Sequence, residues 1–113
     1  QGAAPAYLYL FNYRAPILNG RMGAFHSAEI TFVFNNLERC PNLTGGDPQA
    51  FVLQEQISQA WIHFARSGDP NHSGLPHWPA FTPAAAGTMI FDRECAARDD
   101  PGLDARRILL AAN

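Results

Sequence analysis

The chain is 113 residues long, enough for one small domain or part of a larger one. Hydrophobic residues make up 47% and the formal net charge is -2, a balance that speaks against disorder, a nucleic-acid surface or binding to an anionic membrane. No uninterrupted apolar run reaches membrane-spanning length, so no membrane span is expected.

Residues 1–6 are small and proline-containing, a frayed start. Tyr7-Leu8-Tyr9-Leu10-Phe11-Asn12-Tyr13 then reads as a strand with aromatics on one parity and leucines on part of the other. A strand apolar on both faces belongs inside a helix-covered sheet, so it needs neighbours. Residues 14–22 read as a loop broken by Pro16, Asn19 and Gly20. Propensity alone makes Ile30-Thr31-Phe32-Val33-Phe34 a strand. Residues 35–46 are rich in Asn, Gly and Pro and read as loop.

Asp47-Pro48 opens the clearest helix, predicted over residues 48–66. Aspartate is a good N-cap, and proline is favoured at the first helical position. Phe51 or Val52, Ile57, Ala60, Trp61 and Phe64 recur at three- and four-residue steps, which predicts an apolar face docked on a sheet. Gly68 stops the helix, with Arg66 in its last turn. A long connection with Pro70, Pro76, Pro79 and Pro83 leads to a second short strand, Thr88-Met89-Ile90-Phe91-Asp92. Asp100-Pro101 is placed to cap a last helix over residues 102–112. There is no internal repeat or domain boundary, and residues 1–113 read as one unit. The first residue is Gln1 rather than methionine, so a longer polypeptide upstream is expected.

The candidate for chemistry is His26, between a small-residue turn and an apolar run. Imidazole titrates near neutral pH, but a lone histidine beside aromatics is more often structural or simply exposed. Four separated blocks change that weighing: the strand at 7–13; Gly23-Ala24-Phe25-His26-Ser27-Ala28-Glu29-Ile30; Trp61-Ile62-His63-Phe64-Ala65-Arg66-Ser67-Gly68-Asp69-Pro70-Asn71; and Trp78-Pro79-Ala80-Phe81. In order and spacing they resemble the C-terminal region of the type-B carboxylesterases, which include the para-nitrobenzyl esterases and cholinesterases. The match spans roughly residues 7–95.

The resemblance implies an α/β fold: the C-terminal portion of an α/β-hydrolase. It would hold two short strands, one amphipathic helix, a short helix after the histidine and a C-terminal helix, with long loops between. The resemblance thus overrides propensity at residues 30–34. It further implies that His26 is the general base of a Ser-His-acid triad, taking the proton of a serine as it attacks an ester and passing it to the departing alcohol. In this fold class the histidine comes last in chain order, so a piece with only the histidine belongs to the C-terminal end. Ser27, Ser58, Ser67 and Ser73 all lie outside any Gly-x-Ser-x-Gly elbow. Nucleophile and triad acid are therefore expected in the remaining N-terminal part of the same enzyme, with a small-molecule ester as substrate and no nucleic-acid partner. The isolated chain should be inactive, and marginally stable or self-associating. The alternative is a non-catalytic remnant, or a binding or adhesion module of the same fold.

Bland readings hold elsewhere. Glu29 is too near His26 to be the triad acid and is expected to anchor the loop through backbone amides. The family often has glycine where this chain has Ser27, which points to a constrained turn. His72 and His77 lack the spacing of a metal site, and no cofactor is implied. Asp69 reads as a turn cap, Trp61 and Trp78 as core or loop anchors, and Arg106-Arg107 as a solvated helix face. Cys40 and Cys95 could pair in an oxidising compartment, but isolated cysteines are often free thiols.

Overall fold

In a computed structural model, which describes residues 4–112, the chain folds as a small three-stranded sheet with helices packed on it. Of the predicted frayed start, positions 1–3 lie outside the described residues. Strand β1 is Leu8–Phe11, β2 is Gly87–Phe91 and β3 is Ala96–Asp99. Between β1 and β2 come three helices: α1 (Ile30–Val33), α2 (Pro41–Thr44) and α3 (Pro48–Ser67). The last helix, α4, is Leu103–Ala111.

β2 sits between its two neighbours. It pairs parallel with β1, Leu8 opposite Thr88 and Phe11 opposite Phe91, and antiparallel with β3, Gly87 opposite Asp99. A parallel pair requires a long crossover, here the α1–α3 region. The sequence reading lacked β3. Ala96-Ala97-Arg98-Asp99 has little strand propensity, and it pairs because the hairpin at Asp92 folds it back along β2.

The aromatic parity of β1 faces the helices. Phe11 packs on Phe32 of α1 at 5.0 Å between ring centres, and Tyr9 packs on Phe91 at 5.3 Å. Trp78, only 4% exposed, stands edge-on to Tyr7, Tyr9 and Phe91. The leucine parity is half open to solvent, at 46% for Leu8 and 49% for Leu10. Together with α4 it walls a shallow groove.

Helix α3 begins and ends as the sequence predicts, extended by one residue. Asp47 caps it, Pro48 takes the first turn, and Gly68 closes it in a left-handed conformation. Its buried stripe matches the prediction at Ile57 and Ala60 and differs elsewhere. Ala50, Leu53, Gln54, Ile57, Ser58 and Ala60 face inward, whereas Phe51, Val52, Trp61 and Phe64 are exposed. Ala50 and Ala60 are fully buried in the core, and burial of Leu53 and Ile57 contributes about 1.5–3 kcal/mol each. Gln54 is tolerated inside because its side-chain oxygen accepts the Leu37 backbone N–H at 2.8 Å.

Helix α4 starts one residue later than expected. Asp100 makes no capping bond from its side chain; it is ion-paired with Arg106 instead, which holds its carboxyl below the ordinary range. Cys40 and Cys95 are free thiols, and burial pushes Cys95 upward. Among the described residues no helix is long and apolar enough to cross a membrane.

A polar knot closes the carboxyl ends of the parallel strands. Asp47 Oδ2 accepts from the Tyr13 hydroxyl at 2.6 Å and from Arg93 Nη2 at 2.7 Å, while its Oδ1 accepts from Gln49 N–H at 3.1 Å. Tyr13 and Arg93 each stand two residues beyond the paired Phe11 and Phe91, and the Arg93 guanidinium lies 5.6 Å from the Tyr13 ring centre. Burial disfavours the Asp47 anion, but the bonds from Tyr13 and Gln49 and the charge of Arg93 outweigh it, so its carboxyl sits below its ordinary 3.8. Burial, then Asp47, raises the Tyr13 phenol.

A group that ionises more easily folded than unfolded stabilises the fold above its unfolded value, and that contribution fades as pH falls through the folded value. We therefore expect Asp47→Asn, which keeps an oxygen for the helix cap, to lower unfolding stability by about 1–3 kcal/mol at neutral pH, from loss of the charge-assisted bonds to Tyr13 and Arg93. In urea unfolding at stepped pH, the gap between variant and parent should shrink below pH 3.8, the ordinary value of the acid.

Candidate active site

His26 lies on the connection that leaves the carboxyl end of β1, the end of a parallel sheet where ligand sites collect in α/β folds. It occupies a run of turns, with Ala28 N–H bonded to the Phe25 carbonyl at 3.1 Å and Ile30 N–H to the Ser27 carbonyl at 3.2 Å. Helix α1 follows directly, so residues 30–34 are helical at their start, as the resemblance implies and propensity does not.

The turn stands on an apolar footing. Phe25, Ala28 and Phe32 line a narrow gap with Phe11, Tyr13, Ala15 and Leu43, and Phe32 meets the Tyr13 ring at 5.6 Å. Ala28 and Phe32 are buried while His26 and Ser27 are exposed. The imidazole is thus held outward from a packed base. Its side chain enters no hydrogen bond among the described residues.

Glu29 departs from the expectation. Its side chain makes no capping bond; its main-chain carbonyl instead accepts from the Phe32 and Val33 N–H groups, each at 3.0 Å. The carboxylate stands in an open groove with Tyr9, Val33 and Trp61, and, after burial, its charge is the second influence raising the Tyr9 phenol.

The other predicted residues lie elsewhere. Ser58 is buried on α3 and donates to the Glu55 carbonyl at 3.4 Å, and Ser67 donates to the His63 carbonyl at 2.9 Å. Ser73 is in the loop after α3. Asp69 Oδ1 accepts the Asn71 backbone N–H at 2.9 Å and the Asn71 side chain at 2.8 Å, the turn cap expected of it, and these bonds hold its carboxyl low. Among the described residues no three His, Cys, Asp or Glu side chains converge as metal ligands. What sequence reasoning missed is the support. Asp47 was legible only as a cap, and neither Tyr13 nor Arg93 carries a local signal of its long-range partner.

Ser27 has φ +65°, in the left-handed region. The side chain of an L-residue is crowded there, at a cost of about 1–2 kcal/mol, whereas glycine is free to enter. The turn that displays His26 therefore demands a backbone conformation that glycine enters freely. Ser27→Gly should raise stability by about 0.5–1 kcal/mol and Ser27→Val lower it by at least as much, measured by urea midpoints.

A family model described as "Carboxylesterase family" matches residues 1–104. Phenmedipham hydrolase of Pseudarthrobacter oxydans is 38% identical over 101 residues, covering 84% of this chain and 20% of that protein. Para-nitrobenzyl esterase of Bacillus subtilis (strain 168) is 32% identical over 110 residues, covering 94% of this chain and 22% of that protein. Among solved structures, an esterase from anaerobic Clostridium hathewayi that can hydrolyze aliphatic aromatic polyesters superposes with a TM-score of 0.79 at 40% identity, over 85% of this chain and 19% of that one. A thermophilic para-nitrobenzyl esterase gives the same TM-score at 30% identity, over 92% of this chain and 22% of its own. The chain thus spans about a fifth of the length of the relatives it matches. By sequence and by fold it belongs to the carboxylesterase family, and its architecture is that of an α/β-hydrolase piece.

Proposed function

We propose that this chain supplies the general-base histidine, His26, to a carboxylic ester hydrolase. The serine nucleophile and the triad acid come from polypeptide other than these residues. The observation that carries the reading is the display of His26: an exposed imidazole on a packed turn, at the carboxyl end of a parallel strand, in a chain of this family.

The role follows from elementary chemistry. A serine hydroxyl is a poor nucleophile until a base takes its proton, and an exposed imidazole can serve once it is brought within hydrogen-bond reach. His26 then protonates the departing alcohol, and water repeats the cycle on the acyl-enzyme. A carboxylate against the second ring nitrogen would fix the tautomer, a place Glu29 is too close in sequence to take. The exposed aromatic and aliphatic residues of α3 and the open leucine face of β1 fit a piece that completes its core against more of the same hydrolase.

The test is p-nitrophenyl acetate hydrolysis by the 113-residue chain and by the full parent polypeptide encoded at the same locus. The chain alone should show no His26-dependent turnover. In the parent, His26→Ala should lower kcat by about 10⁴-fold or more with KM little changed. Turnover by the chain alone that His26→Ala abolishes would place a nucleophile within it. An active parent indifferent to His26→Ala would remove the histidine from the chemistry and leave a non-catalytic role for this piece.

A further inference from the structure

The loop after α3 is fastened to the helix by an arrangement that the esterase reading does not use. His72 Nε2 lies 3.0 Å from the Gln56 main-chain carbonyl, and His72 Nδ1 accepts the Gly74 backbone N–H at 3.1 Å. The Gln56 side-chain amide donates back to the Gly74 carbonyl at 3.0 Å. The opposite end of that amide, Oε1, accepts from Cys95 Sγ at 3.5 Å, so the same glutamine reaches the segment after β2.

The two contacts of His72 fix its protonation. A carbonyl can only accept, so Nε2 must carry the hydrogen, and a backbone N–H can only donate, so Nδ1 must be bare. The neutral Nε2–H tautomer satisfies both. The imidazolium cannot, because its Nδ1–H would point at the Gly74 N–H. We propose that His72, Gly74 and Gln56 form a pH-sensitive latch that holds the 72–76 loop against α3 when His72 is neutral and releases it when His72 is protonated.

Two further observations point the same way. The His72 ring lies over Gly74 so closely that a Cβ there would meet the ring carbon Cε1 at 2.9 Å and Nδ1 at 3.1 Å, so the glycine admits the imidazole. The His63 ring from α3 stacks on His72 at 5.5 Å between centres and 14° between planes. Two stacked imidazoliums repel, so the second charge also disfavours the closed state. The titratable groups around the pair are Glu55 and His63 from α3, Asp69, which acts on both His63 and His77, from the start of the loop, and Cys95 across Gln56. The acids temper the repulsion but leave the Gly74 N–H without its acceptor.

Release stays local. Asn71 independently clamps Trp78, its side-chain oxygen accepting the Trp78 N–H at 2.7 Å and its amide donating to the Trp78 carbonyl at 2.8 Å. No titratable atom takes part in those two bonds, so Trp78 remains seated while the intervening residues open.

Two measurements on the full 113-residue chain test this. Nitrogen-detected NMR of the imidazoles should show His72 as the Nε2–H tautomer at pH 8. Amide hydrogen exchange at Gly74, corrected for the intrinsic pH dependence, should lose protection by about fivefold or more between pH 8 and pH 5, the range over which imidazole changes charge. In His72→Asn, whose side-chain oxygen can replace Nδ1 and does not titrate, Gly74 protection should be the same at both pH values. An Nδ1–H tautomer at pH 8, or equal protection at Gly74 across the range in the unaltered chain, overturns the proposal. So does a protection loss that persists unchanged in His72→Asn.

Discussion

One carboxylate ties the molecule together. Asp47 begins the longest helix, takes the hydroxyl of a residue just past β1 and pairs with the guanidinium just past β2. Few other contacts among the described residues reach so many segments. Its side chain is only 8% exposed, while the Arg93 side chain it pairs with is half open to solvent. The parallel strands bring Tyr13 and Arg93 level because their register pairs Phe11 with Phe91, and each partner lies the same distance beyond. Register, cap and ion pair are therefore one constraint. A slip of one residue in β1 would turn Tyr13 away and move the aromatic face off the helices at once.

That constraint bears on the turn carrying His26. The turn rests on Phe32 and Ala28, Phe32 rests on Phe11 and Tyr13, and Tyr13 is held by Asp47. The imidazole itself has no tether among the described residues, so its position comes entirely from this packed footing and from the left-handed backbone at Ser27.

Local chemistry was legible in the sequence, and long-range chemistry was not. Asp47-Pro48 and Gly68 mark their helix because a cap and a stop act on their immediate neighbours. The helix at residues 30–33 needed family resemblance, since four residues of β-branched and aromatic character read as strand on their own. β3 left no signal because a short Ala-Ala-Arg-Asp strand is chosen by its partner. The buried face of α3 was read correctly at Ile57 and Ala60 and missed elsewhere for a related reason: burial follows the neighbours present. Small Ala50 and Ala60 and bonded Gln54 go inside while Trp61 and Phe64 stay at the rim. Of the candidate site, the position of His26 and the glycine-like demand at Ser27 could be read ahead; its supports, Tyr13 and Arg93, could not.

The parallel pairing of β1 with β2 has a consequence for the order of assembly. β2 is the only strand that joins β1 among the described residues, and it lies at the far side of the crossover. A ribosome delivers β1 and the histidine turn long before it delivers Phe91 and Arg93. Until that late stretch emerges, Asp47 has no cationic mate and β1 has no ladder on this side. The imidazole is thus translated before the residues that seat it, and the arrival of the stretch from β2 onward is the step that sets its geometry.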